Sequence, residues 1–274
     1  MAAPEPGADP GAGAVTPAPL RPATAGRFLN WATWGIIAAL FVVSVQQTGF
    51  NLELVFSGTA DFFRFFRRLA PDWTALPQIW APLIETLQIA YLATFFGTLL
   101  GLPLIFLASF NTTTNRPTMV VTRAILTVLR SIPDLLYAAI LAPILTLGPL
   151  PGVVALTIFT MAVLAKLTSE TVESVDPGPL EALKAVGAGR NRMIAYGVLP
   201  QISATLTSYV LYIFEINVRA SVVIGLVGAG GIGNLLNRYL SFFDYGGLGA
   251  LIIVVFFVVL AIDQLSVWAR TRLI

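Results

Sequence analysis

Histidine and cysteine are both missing from the 274 residues, so the groups left for chemistry are fourteen carboxylates, sixteen lysines and arginines, hydroxyls and amides. That removes histidine triads, thiol nucleophiles, disulfides, iron–sulfur clusters and zinc sites built on Cys or His. The acids are scattered, and no metal site is expected from their spacing. Two pairs of opposite charge stand inside otherwise apolar stretches: Glu215 with Arg219, and Arg130 with Asp134. Each pair is four residues apart, which places both members on one face of a helix. A charge at the bilayer centre costs about 2.5–3.5 kcal/mol by insertion scales unless it is paired, hydrated or facing a cavity. Two roles are open to such pairs. They hold a helix bundle together, or an arginine faces a pathway and offers its planar fork to a tetrahedral oxyanion. Asn217, Ser221 and Tyr212 add neutral polar groups beside Arg219.

Two nucleotide-binding patterns are tested and set aside. Gly228-Ala-Gly230-Gly231-Ile-Gly233 has the letters of a dinucleotide fingerprint, but it follows an apolar helix, and the nearest acid, Asp244, lies 11 positions past Gly233. The fingerprint needs a βαβ unit and an acid about 20 residues on. A flexible glycine turn at an outer gate is the expectation for these four glycines. A phosphate-binding loop ending in Gly-Lys-Ser/Thr is absent, and the lysines are Lys166 and Lys184. Energy from ATP therefore has to be supplied by another subunit.

The elements that position these residues are set by composition. Charged residues are 11% and hydrophobic residues 57% of the chain, against roughly 25% charged in a typical soluble domain. Uncharged runs cover 28–52, 86–115, 135–165, 193–214, 220–237 and 245–262, lengths suited to a bilayer. Residues 1–28, rich in Ala, Pro and Gly, are expected to be a disordered tail. The first span with its external connection takes 29–82, including the aromatic and basic run Phe62–Arg68, suited to a membrane interface. Further spans are predicted over 83–108, from near Met119 onward, 153–168, 199–224 and 248–268. The third must start that early because 31 uncharged residues at 135–165 cannot hold two helices of about 20 each. It then carries Arg130 and Asp134 into the membrane.

Six spans put both termini on one side. The loops of that side carry ten lysines and arginines and the opposite loops four, so both termini are predicted to be cytoplasmic. A net charge of +2 gives no support for nucleic-acid binding.

The loop over 169–199 has its own design. Asp176-Pro-Gly-Pro179 is a helix start, and a short helix is predicted over Leu180–Val186, with Glu181 in the first turn where the dipole favours an anion. Gly187 and Gly189 stop it. Two turns are marginal alone in water, so this helix needs a surface to dock on.

Glu181-Ala182, Gly187 and Leu199-Pro200 match the spacing of the E-A-A, G, I-x-L-P signature, and the chain resembles the permeases of binding-protein-dependent ABC importers. It departs at Leu183, where the family usually has Ala, and at Gly197, where it usually has Ile. The stretches Arg130–Asp134, Glu173–Gly187, Phe214–Arg219 and Gly225–Gly233 are similar to the phosphonate transporter subfamily. The resemblance implies an all-α integral membrane protein, six transmembrane helices of the type I ABC importer permease fold with a short cytoplasmic coupling helix, over 83–274.

It also implies a prokaryotic plasma (inner) membrane, a second copy of the chain, two ABC ATPase subunits holding ATP and Mg, and an extracytoplasmic substrate-binding protein. Phosphonate, phosphite or phosphate is the implied cargo, with no enzymatic activity and no cofactor on this chain. An importer for another small solute such as an amino acid, and a transporter working without ATP, are the alternatives.

Overall fold

The computed structural model describes residues 25–272, and among them every regular element is a helix. Most of the expected tail, residues 1–24, lies outside the described residues, and helix α1 already opens at Ala25. The chain divides into two units between Phe63 and Arg64. The first holds α1 (Ala25–Thr48), α2 (Leu52–Ser57) and the start of α3 (Thr59–Arg68). Asn30–Thr48 is long and apolar enough to cross a membrane, and its Trp31, Trp34 and Phe41 are exposed, as side chains facing lipid are. In α3 the three arginines share one face and the phenylalanines the other.

The second unit starts from a 3-10 turn, Trp73–Ala75, capped by Asp72, whose carboxylate accepts from the Thr74 hydroxyl (2.7 Å) and amide (2.9 Å). Those bonds hold its carboxyl below the usual pKa. Then come α4 (Leu76–Ala108), α5 (Arg116–Ser131), α6 (Asp134–Leu145), α7 (Pro149–Glu173), α8 (Pro177–Ala185), α9 (Arg190–Met193), a π-helical turn Ile194–Val198, α10 (Leu199–Gly225), α11 (Gly231–Ser241) and α12 (Tyr245–Thr271). Counting α1, five helices among the described residues are long and apolar enough to span, or six if α5 and α6 form one bent span.

That bend corrects the predicted third span. α5 and α6 meet at 83°. Pro133 disfavours helical backbone at the residue before it, and Ile132 is extended at φ −88°, ψ 124°. Arg130 and Asp134 therefore lie on different helices and do not share a face. Asp134 accepts from the amide of Leu135 (2.9 Å) at the start of α6, while Arg130 is exposed in the last turn of α5. No ion pair joins them among the described residues.

Helices in lipid gain little from burying apolar surface against each other, so close approach of small residues carries the packing. α4 and α7 show this: Ala93, Gly97 and Gly101 repeat every fourth residue, and a Cβ on Gly97 would lie 2.5 Å from Cβ of Thr160. Three apolar clusters follow along the bundle. One joins α4, α11 and α12 through Ile79, Leu83, Ile232 and Leu251. A middle one joins α4, α6, α7 and α10 through Ile89, Ala138, Leu156 and Ile224. The last joins α4, α5, α7, α8 and α10 through Ile105, Leu126, Val172, Leu180 and Ile202. With 33 residues, α4 is about 50 Å long, so it outreaches the ~30 Å hydrocarbon layer.

Candidate functional site

The short helix of the connecting loop is α8, beginning three residues earlier than the sequence suggests. Asp176 is its N-cap, with the carboxylate accepting from Gly178 N (2.9 Å). The earlier start moves Glu181 from the first turn into the second, beyond the strongest influence of the helix N-terminus. Gly187, at φ +75°, ends the helix: its amide reaches Lys184 O (3.0 Å), and Ala188 N reaches Leu183 O (2.9 Å). α8 is tied to α10 by Gln201, whose Oε1 accepts from Asp176 N (3.0 Å) and whose Nε2 donates to Gly197 O (2.7 Å). Leu180 is buried in the apolar cluster at this end of the bundle, while Glu181 and Ala182 face outward. Leu199 and Pro200 open α10, with proline in the first turn. The helix thus presents one face to the bundle and leaves the other free to dock.

The two departures from the family signature meet in space. Gly197 is buried, and a Cβ on it would lie 3.0 Å from Cδ1 of Leu183. The larger Leu183 fills volume that the glycine leaves. Gly197→Ile alone is expected to lower thermal stability in detergent by about 1–3 kcal/mol through overpacking, and Leu183→Ala in the same chain to recover most of it. Additive effects in that double-mutant cycle would show that the two positions do not compensate.

Within the apolar spans, Glu215 is the charge that the structure buries, at 5% exposure. Its Oε1 pairs with Arg219 one turn on, and its Oε2 lies 3.4 Å from Arg270 of α12, a partner that no local spacing reveals. Arg219 keeps about half of its side chain exposed (54%) and lines a groove of about 420 Å³ between α10, α11 and α12, with Asp263 as the other charged residue of its wall. The groove is otherwise apolar. A single guanidinium nitrogen of Arg219 engages Glu215, which leaves the others directed at neither carboxylate oxygen.

Asn217 stands apart from the groove. It is fully buried and donates to Thr94 Oγ1 (2.9 Å) and Thr160 Oγ1 (2.8 Å), so it knots α10 to α4 and α7, and its own Oδ1 has no protein partner.

The glycines at 228–233 are a packed joint and not the flexible turn that composition suggests. Gly228, Gly230 and Gly231 have φ of +87°, +82° and +68°, in the region that favours glycine. Gly148 N donates to Gly228 O (3.0 Å), and Thr86 Oγ1 accepts from Ile232 N (2.7 Å), which pins the turn to the loop before α7 and to α4. Gly233, in the first turn of α11, lies with its backbone against Gly225. α11 itself, with Ile232, Leu235 and Tyr239 on its buried side, is an element that the sequence reading lacks.

The family model for "Binding-protein-dependent transport system inner membrane component" matches residues 94–273. The phosphate-import permease protein PhnE of Mycolicibacterium smegmatis is 38% identical over 211 residues, 77% of this chain, which spans 40% of that relative's length. The phosphite transport system permease protein PtxC of Stutzerimonas stutzeri is 34% identical over 198 residues, 72% of each chain. In fold, the chain is similar to the inward-facing MetNI methionine ABC transporter, with a TM-score of 0.65 at 21% identity over 74% of this chain and 99% of the other. An all-helical, multi-pass chain with a short helix between its long apolar helices α7 and α10, this protein belongs to the inner membrane component family of binding-protein-dependent transport systems.

Proposed function

We propose that this chain is the membrane-spanning subunit of an ATP-driven importer that moves phosphate, phosphite or phosphonate into the cytoplasm. The observation that carries this reading is α8, a short helix tethered to the bundle with its outer face exposed, in a chain that shares 34–38% identity with permeases named for phosphate and phosphite. Its partners are a second copy of the chain, two ABC ATPase subunits and an extracytoplasmic binding protein. ATP and Mg sit on the ATPase subunits, and no cofactor on this chain. The end carrying α8 faces the cytoplasm, together with both termini, which agrees with the excess of lysine and arginine on that side. Glu181, Ala182, Leu183, Gly187, Leu199 and Pro200 serve ATPase docking. Closure of the ATPase dimer pushes on α8 and switches the bundle between two packings, the kind of discrete change packed helices undergo. Arg219 is the group best placed to lower the barrier for an oxyanion, because its fork is only partly engaged and Glu215 keeps the site from holding an anion tightly.

Uptake of labelled inorganic phosphate by phosphate-starved cells, with and without this gene, tests the reading, with methylphosphonate and phosphite as competitors and vanadate in a parallel arm. Gene-dependent, vanadate-sensitive uptake blocked by at least one of the oxyanions is expected. Uptake that ignores vanadate and follows the proton gradient would instead identify a secondary transporter.

A further inference from the structure

Just ahead of the docking helix, α4 and α7 both end, and their last carbonyl groups need donors. Thr113 Oγ1 donates to Leu107 O (2.8 Å) and Arg123 Nε to Ala108 O (2.7 Å), which completes the end of α4. Asn111 Nδ2 donates to Val172 O (3.0 Å), and Ser109 Oγ lies 3.2 Å from Ser169 O, which ties the same loop to α7. The last residue of α7 is Glu173, a carboxylate at the negative end of a helix dipole, where an anion is disfavoured. It is held there by Arg123 of α5 and by the amide of Phe110 (2.9 Å), both on Oε1, and its side chain is only 19% exposed.

Of the ion pair, only the arginine takes part in capping α4. The carboxylate contributes nothing to that cap; what it adds is a charged tie from α7 to α5 and to the loop after α4. Three residues later Asp176 caps α8, and Leu180 of α8 shares an apolar cluster with Ile105, Leu126 and Val172 of the tied helices.

We propose that Arg123 and Glu173 are positioning residues for energy coupling: their ion pair makes the adjoining ends of α4, α5 and α7 move together with α8. A push on the docking helix then reaches the transmembrane helices and is not absorbed by the loop 109–115. This rests on the chain being the membrane subunit of an ATP-driven importer.

The test uses the whole complex in proteoliposomes, with ATP hydrolysis and uptake of inorganic phosphate, phosphite and methylphosphonate measured together. Glu173→Gln keeps an acceptor for Phe110 N and loses the ion pair. The expected result is an assembled complex that still hydrolyses ATP but moves about tenfold less solute per ATP. Glu173→Asp, which keeps the charge, retains most of the wild-type ratio, and Arg123→Lys, which loses the fork, falls between them. An unchanged ratio in Glu173→Gln overturns the joint, and so does parallel loss of assembly, hydrolysis and uptake in both the Gln and Asp variants, which marks a purely structural pair. A wild-type complex that takes up none of the three probes with ATP overturns the importer reading, and the joint falls with it.

Discussion

Gly233→Ala is expected to leave almost no folded protein in the membrane. A Cβ at this position would point at the carbonyl of Val222 and lie 2.6 Å from Cα of Gly225, and a Cβ on Gly225 would lie 2.5 Å from Gly230 O. All of these neighbours are backbone atoms, so no side chain can rotate away. Relief comes only by separating α10 from α11, and α11 is fastened to α4 through Thr86 and by Ile232 and Leu235 in the apolar cluster with Leu83. Overpacking that a side chain absorbs costs about 1–3 kcal/mol, and a backbone collision belongs at or above the top of that range. Against a total stability of about 5–15 kcal/mol for a folded domain, that is a large fraction. Gly189→Ala is the control, since a Cβ there meets nothing within 4 Å. The measurement is the yield of monodisperse protein in mild detergent. Near-normal yield for Gly233→Ala would mean that α10 and α11 are not in fixed contact.

This joint also shows where the sequence stops being informative. Five glycines between 225 and 233 announce special backbone, and three of them do adopt positive φ. Composition alone does not say whether glycine provides freedom or permits close approach. The atoms that decide it belong to Val222, Pro149 and Thr86, and two of those three are remote in sequence. Where local signals suffice, the reading is close. An uncharged run and Leu199-Pro200 place α10 over Leu199–Gly225, against an expected 199–224, and Asp176 with Gly187 brackets α8 to within a turn.

The bent pair α5–α6 had a local signal as well, in Pro133. The need for about 20 residues to cross a bilayer points the other way, although two helices joined at an angle satisfy the same length. α11 was hidden because its eleven residues follow a glycine run, even though Ile232, Leu235 and Tyr239 keep helical spacing. Ties such as Asn217 to Thr94 and Thr160, or Arg123 to Glu173, link residues 50 to 123 positions apart, and a single sequence carries no trace of such pairings.

Glu215→Ala should show whether the ion network holds the bundle, serves transport, or does both. Removing this carboxylate leaves Arg219 and Arg270 near one another without their shared counter-charge. A guanidinium left without a counter-charge within the bilayer costs about 2.5–3.5 kcal/mol by insertion scales. Arg270 lies in the last turn of α12, where a long side chain can reach the headgroup layer. Arg219 sits 20 residues into α10 and has no such exit. The single variant is therefore expected to lose most of its assembled complex, and Glu215→Ala with Arg219→Ala to recover assembly, a non-additive result of the kind coupled neighbours give. Uptake should be absent from both chains and from Arg219→Ala alone, which keeps Glu215 paired with Arg270 and assembles normally. Recovery of uptake along with assembly in the double variant would confine Arg219 to a structural role and take it out of the anion pathway. Normal assembly of Glu215→Ala would show that Arg219 reaches water in the groove shared with Asp263, and the network would then owe its place to transport alone.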